Sequence, residues 1–270
     1  MKNRRFLFGL SFLTLLFLAA GLHRILWERS TVSILKETSI ESQEFRKQQL
    51  KPELYETLCE QRRKGQDFGT LLTATMLAGK YAPEKVWGHP ELFLKYKEES
   101  FLQLKKGYEA VWADLICFPV PDSSVKFENT WMEPRTYGGK RVHEGTDLFG
   151  TVTTPGYYPV LSMTDGVVEQ KGWLPLGGYR IGIRSPHGGY FYYAHLFDYE
   201  RDFQKGEQVK AGEILGYMGN SGYGPEGTSG VFPVHLHLGI YIAAPHTPEI
   251  SVNPYWVLQA LRKNIRKYTY

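Results

Sequence analysis

Apolar and polar positions fall into three successive patterns along the chain. Residues 6–22 carry no charge and are mostly apolar, and they follow Lys2, Arg4 and Arg5. A spanning helix wants roughly 20 apolar residues, with about 17 at the short end. A signal-peptide core is shorter and ends at a small-residue cleavage site. Here Ala19, Ala20 and Gly21 run into Leu22, His23 and Arg24, a poor cleavage context. The run is read as an N-terminal transmembrane helix with the remainder of the chain outside, because positive charge precedes it. Secretion after signal cleavage is the alternative.

The second pattern has helical spacing. Residues 31–52 are polar and rich in lysine and glutamate, which predicts a stalk or a frayed helix. Leu54 and Leu58, with a stop at Gly65, predict one helix. Asp67 can cap a second, with Phe68, Leu72 and Met76 four apart. Pro90 opens a third, in which Phe101, Leu104, Tyr108, Val111, Trp112 and Leu115 form one apolar face.

The third pattern begins near Pro119. Of 28 glycines, 21 lie between Gly138 and Gly239, among tyrosines and β-branched residues in short runs. Residues 160–168, 179–184, 190–195 and 213–218 read as strands, and Ser185-Pro-His-Gly-Gly189 reads as a hairpin turn. A last helix is expected over 254–265. The fold class is therefore a mainly β domain of compact antiparallel sheets, preceded by a small α-helical region and the N-terminal membrane segment. The boundaries are 1–28 for the anchor or signal, 29–116 for the stalk and helical region, 117–259 for the β domain and 260–270 for a basic tail.

Charge changes one part of this picture. The net charge is +4. The first 30 residues hold five basic residues against Glu28, and the tail holds Arg262, Lys263, Arg266 and Lys267 with no acid. The chain between them is net acidic, so the basic balance belongs to the ends and gives no reason to expect nucleic acid as a partner. The two cysteines, Cys59 and Cys117, each stand alone rather than in a metal-binding pair.

The candidate chemistry lies in the β domain. His143-Glu-Gly-Thr-Asp147, Tyr193-Ala-His195-Leu196 and His235-Leu-His237 each fall in a strand or at a strand end. On a strand, residues two apart share a face, so His235 and His237 can address one site. Gly145 allows the bend that brings His143 and Asp147 to the same ion. Four histidines and one aspartate suffice for one Zn2+ ion with two histidines left for acid–base work. A catalytic zinc takes three protein ligands and leaves a position for water, whose pKa falls to roughly 7. Spacing alone leaves open which of His235 and His237 is the ligand. His23, His89, His187 and His246 are set aside as flanking, turn or loop residues.

Residues from about 135 to 252 resemble the LytM/lysostaphin family of zinc peptidases, peptidase family M23. The matching pieces are Arg141-Val-His-Glu-Gly-Thr-Asp147, Pro159-Val160 leading to Asp165-Gly166-Val167, Tyr193-Ala-His-Leu196, Val209-Lys-Ala-Gly-Glu-Ile-Leu-Gly216 and His235-Leu-His237. The resemblance implies His143, Asp147 and His237 as zinc ligands, and His195 and His235 as the non-ligand catalytic pair. It also implies a metalloendopeptidase acting on peptide bonds of bacterial peptidoglycan at the cell membrane, with an envelope protein as a further partner. A catalytically silent protein of the same fold that binds murein or an envelope partner is the alternative. Phe232-Pro-Val234 and Gly239 depart from the family pattern, and the loop at 222–234 is long. Tyr137 and Arg180 are candidates for lining the substrate groove.

Overall fold

The computed structural model describes the backbone of residues 2–136 and 139–269, and side chains from residue 13 onward within those ranges. Helix α1 (Lys2–Val32) contains the apolar run, whose residues 6–12 lie outside the described side chains. Among the described residues no helix is long and apolar enough to cross a membrane.

The segment expected as a stalk is instead packed. A 3-10 turn (Glu37–Glu41) and α2 (Gln43–Arg46) follow α1, and Leu35, Ile40, Phe45 and Leu50 are fully or almost fully buried. The charged residues between them hid this five-residue spacing, which matches no regular helix or strand. The segment is clamped to the β domain by Arg46, whose Nε donates to the Ser251 carbonyl at 2.9 Å and whose own carbonyl accepts from Asn253 N at 2.8 Å.

The three predicted helices form. They are α3 (Pro52–Arg63), α4 (Phe68–Ala78) and α5 (Glu91–Trp112). Asp67 caps α4 by accepting from Thr70 N at 2.7 Å. Helix α5 is kinked at Lys97, and its buried face of Phe101, Leu104, Tyr108, Val111 and Trp112 is the predicted one. Trp112 Nε1 donates to Gln48 Oε1 at 2.7 Å, which satisfies a polar pair inside the core.

Twelve strands follow among the described residues. The short ones at the start are β1 (Lys126–Phe127), β2 (Pro134–Arg135), β3 (Arg141–Val142), β4 (Thr146–Phe149) and β5 (Pro159–Leu161). The central hairpins are β6 (Gly166–Leu174), β7 (Gly178–Arg184) and β8 (Tyr190–Tyr199). Then come β9 (Gln208–Val209), β10 (Ile214–Met218), β11 (Leu236–Ile242) and β12 (Ile250–Val252). All pairings are antiparallel, and the main sheet runs β1-β4-β11-β8-β7-β6-β9, with β10 on β8 and β5, and β12 on β11. The predicted strand 160–168 is two strands, because Ser162 Oγ donates to the Thr164 carbonyl and Asp165 accepts from Ala211 N, which turns the chain. Strand β8 runs four residues beyond its predicted end. The last helix, α6 (Tyr255–Leu261), stops short of Ile265. The basic tail is tethered: Lys263 pairs with Glu56 at 2.7 Å, and Arg262 lies 4.7 Å over the Phe127 ring.

Alternation divides the sheet into two faces. Leu236, Leu238, Ile240 and Ile242 of β11, Phe191 and Tyr193 of β8, and Ile181 and Ile183 of β7 are buried in a core shared with Leu58, Leu72, Phe101 and Trp112 of the helices. At Gly189, in the hairpin turn, α5 lies close against the chain: a Cβ there would lie 2.0 Å from the Ala110 carbonyl oxygen. Both cysteines are free thiols.

Candidate metal centre and groove

The opposite face of the sheet builds the site. His237 on β11 pairs across to Asp147 on β4 and to Ala194 on β8, so the three residues form one row on one face. His143 enters from the end of β3. Its Nε2 lies 3.0 Å from Asp147 Oδ1 and 3.0 Å from His237 Nδ1, and His237 Nδ1 is 3.0 Å from Asp147 Oδ1. Among the described residues this is the group whose donor atoms converge as metal ligands would. Gly145 makes room for it, since a Cβ there would come within 2.5 Å of the His237 ring.

The spacing fits a cation. Donors bound at about 2.0–2.1 Å in tetrahedral geometry stand about 3.3 Å apart, so the triangle seats an ion after a small outward shift. Two imidazole nitrogens and one carboxylate oxygen are borderline donors of the kind that transition metals take. Burial would raise the pKa of Asp147, but hydrogen bonds from His143 and His237 hold it well below the carboxylate range. The ligand charge is therefore present at any ordinary pH.

His143 is oriented from behind. Its Nδ1 lies 3.1 Å from the Thr130 carbonyl, which can only accept, and 2.8 Å from Arg135 Nη2, which can only donate. The two compete, and ligation through Nε2 requires the arrangement in which Nδ1–H donates to Thr130. Arg135 Nη2 also donates to Asp147 Oδ2 at 3.0 Å. Neither Thr130 nor Arg135 is marked in the sequence as part of the site. Thr130 acts through its carbonyl and also through its hydroxyl, whose Oγ1 lies 3.0 Å from His143 Nδ1, but it stands 13 residues before its partner, outside any local spacing pattern.

His195 and His235 stand beside the triad, their rings 4.8 Å apart. His195 sits at a bulge: Tyr179 pairs with Leu196 and Ile181 with Tyr193, so Ala194 and His195 together face Arg180. The backbone of His195 is left-handed, with φ 62. The extra residue breaks the alternation and turns the ring to the groove side. His195 Nδ1–H donates to the Ser221 carbonyl at 2.9 Å, and His235 Nδ1–H donates to the Pro233 carbonyl at 2.8 Å. Both tautomers are thereby set, with each Nε2 lone pair free. The His235 Nε2 lies 3.7 Å from Asp147 Oδ1. Burial lowers the pKa of His235, and burial with the neighbouring His235 and His237 lowers His195 well below the usual range. Both rings are neutral bases at neutral pH.

These residues head a groove of about 650 Å³. Its floor is Tyr190, Tyr192 and Tyr241, whose hydroxyls burial keeps protonated. Its rim includes Arg141, Arg180, Glu249 and Tyr223, and among the described residues none before Arg135 lines it. The long 222–234 loop supplies Phe232, 4.6 Å from the His195 ring, and Tyr223, 6.0 Å from it. Of the two groove candidates, Arg180 lines the groove, and Tyr137 lies outside the described residues.

The family model for peptidase family M23 matches residues 141–253. The L-Ala–D-Glu endopeptidase of Bacillus subtilis is 42% identical over 162 residues, which is 60% of this chain and 48% of that protein. The chain thus spans about half the length of that relative. The glycyl-glycine endopeptidase ALE-1 of Staphylococcus capitis is 36% identical over 83 residues, 30% of this chain and 21% of that protein. The crystal structure of a lytM from Ruminococcus gnavus is 42% identical with a TM-score of 0.74, covering 87% of this chain and 96% of that one.

Proposed function

The chain belongs to peptidase family M23, and from that premise we propose that it is a zinc-dependent endopeptidase cleaving peptide bonds of bacterial peptidoglycan. The observation that carries this reading is the 3.0 Å triangle of His143, Asp147 and His237 beside two neutral histidines at the head of an open groove. The named relatives in the comparison are endopeptidases, and the Bacillus subtilis one is named for the L-Ala–D-Glu bond. That bond is the first to test here.

His143 Nε2, Asp147 Oδ1 and His237 Nδ1 would hold the ion. When bound, zinc supplies Lewis-acid polarisation of the scissile carbonyl and lowers the pKa of water. The remaining chemistry belongs to the chain. His195 and His235 each present a free Nε2, so either can take the proton of the attacking water and, as the imidazolium so formed, hydrogen-bond the developing oxyanion and then return that proton to the departing amine nitrogen. Ser221 and Pro233 carbonyls hold both rings in place, which spares reorganisation during the reaction. Phe232 and Tyr223 shield the histidine pair from bulk water. The tyrosine floor offers hydroxyl donors to an extended peptide backbone.

The N-terminal segment is proposed to anchor the protein in the cell membrane with the groove outside. Supporting this, Leu13, Leu15, Leu16, Phe17, Leu18 and Leu22 of α1 are all exposed, an apolar surface that water disfavours. Recovery of the full chain in the soluble fraction of cells would contradict the anchor. For the activity, the test is clearing of a murein suspension by the full chain in detergent. Wild type should clear it and His195→Ala should not.

A further inference from the structure

Arg180 and Arg184 lie four apart on β7, on the face opposite the buried Ile181 and Ile183, yet they are treated differently. Arg184 is held bidentately by Glu169, with Nη2 at 2.6 Å from Oε1 and Nε at 2.5 Å from Oε2. Arg180 has no ion pair among the described residues, and its Nε and Nη1 are buried without any hydrogen-bond partner. It lines the groove. Buried guanidinium donors without acceptors cost free energy, and a carboxylate is the acceptor that matches their fork.

The position is close to the chemistry. The row Asp147, His237, Ala194 continues to Arg180 on the next strand, opposite the bulge that carries His195. Two strand spacings, about 10 Å, separate the Arg180 and His237 backbones. An extended peptide advances about 3.3 Å per residue, so a group gripped by the Arg180 side chain sits within about three residues of the scissile bond. The other groove arginines are engaged: Arg135 with Asp147, and Arg141 with the Tyr223 hydroxyl at 3.0 Å. The tyrosine floor beside Arg180 is neutral and cannot satisfy its charge.

We infer that Arg180 is a specificity-determining residue that binds a free carboxylate of the substrate peptide within about three residues of the scissile bond. This rests on the endopeptidase reading and narrows it to acidic peptides. A site built to pair a charge discriminates against the ligand that lacks it, because the buried donors are then left unpaired.

The test uses two synthetic stem peptides that differ only in whether the carboxylates within about three residues of the scissile bond are free or are carboxamides. Each is given to the zinc-loaded full chain, wild type and Arg180→Gln, and both cleavage and binding by calorimetry are read. A hydrogen bond to a charged group is worth about 10–100-fold. Wild type should favour the free acid by that factor in kcat/KM and in Kd. Arg180→Gln should lose the preference by weakening the acid far more than the amide at unchanged zinc content, and Arg180→Lys should restore part of it. Equal handling of both peptides by wild type, or an undiminished preference in Arg180→Gln, overturns the inference. If neither peptide is cut, the endopeptidase reading fails on these bonds, and the calorimetric preference still decides the role of Arg180.

Discussion

His237 on β11 stands directly across from Asp147 on β4, and their Nδ1 and Oδ1 atoms lie 3.0 Å apart. Sheet register therefore sets this contact, with no dependence on loop conformation. His143 completes the triangle from the end of a neighbouring strand. A site framed by strand pairing is rigid before any ligand arrives, which is what a preorganised metal centre needs.

Asp147→Ala and His237→Ala should each abolish stoichiometric zinc binding by the full chain, measured by metal analysis after dialysis. Each removes one of three protein ligands, and two donors do not hold zinc tightly. One zinc per chain in either variant would contradict the ligand assignment.

His195→Ala should retain one zinc per chain and lose turnover. General acid–base contributions run about 10²–10⁴-fold, and a fall in kcat of that size with little change in KM is expected. His235→Ala should behave alike. A loss of zinc in His195→Ala would place it among the ligands instead.

Stability of the metal-free chain should fall as pH drops below 6.5. Burial lowers the pKa of His143, His195 and His235 in the folded state, while their unfolded value is about 6.5. The unfolded state therefore takes up protons first on acidification, and folding loses free energy from pH 6.5 downward. Thermal melts in the presence of chelator from pH 8 to pH 5 should show Tm flat above about pH 7 and falling below it. A Tm that rises through this window would contradict the burial argument.

Gly189→Ala should destabilise the protein far more than Gly188→Ala. The first places a methyl 2.0 Å from the Ala110 backbone and pushes α5 off the sheet, whereas Gly188 opens onto empty space and pays only for φ 90. Overpacking costs about 1–3 kcal/mol. That corresponds to a Tm lower by several degrees, at about 2–4 °C per kcal/mol for a chain of this size. Equal melts for the two variants would show that α5 is not held there.

Much of this was legible in the sequence where side-chain type and period carry the information. The α5 face, the Asp67 cap, the Ser185–Gly189 turn and the His-x-His pair follow from spacing alone. The packed segment 31–52 was not legible, because its buried residues Leu35, Ile40, Phe45 and Leu50 follow neither helical nor strand period. The break between β5 and β6 was hidden because β-branched residues flank a turn closed by side-chain hydrogen bonds. The orientation of His195 depends on a bulge and on the Ser221 carbonyl, and neither has a residue-type signature. The division of His235 and His237 into base and ligand is what the resemblance implies; spacing left it open, and the structure has His237 Nδ1 3.0 Å from both His143 Nε2 and Asp147 Oδ1.

The most direct measurement is the digestion of purified peptidoglycan by the full chain in detergent, with and without a zinc chelator, read by the masses of released fragments. The account predicts new peptide fragments that vanish with chelator and return when zinc is restored, with masses that identify the bond cut. No fragments from a chain that binds one zinc, or fragments indifferent to chelator, would contradict it.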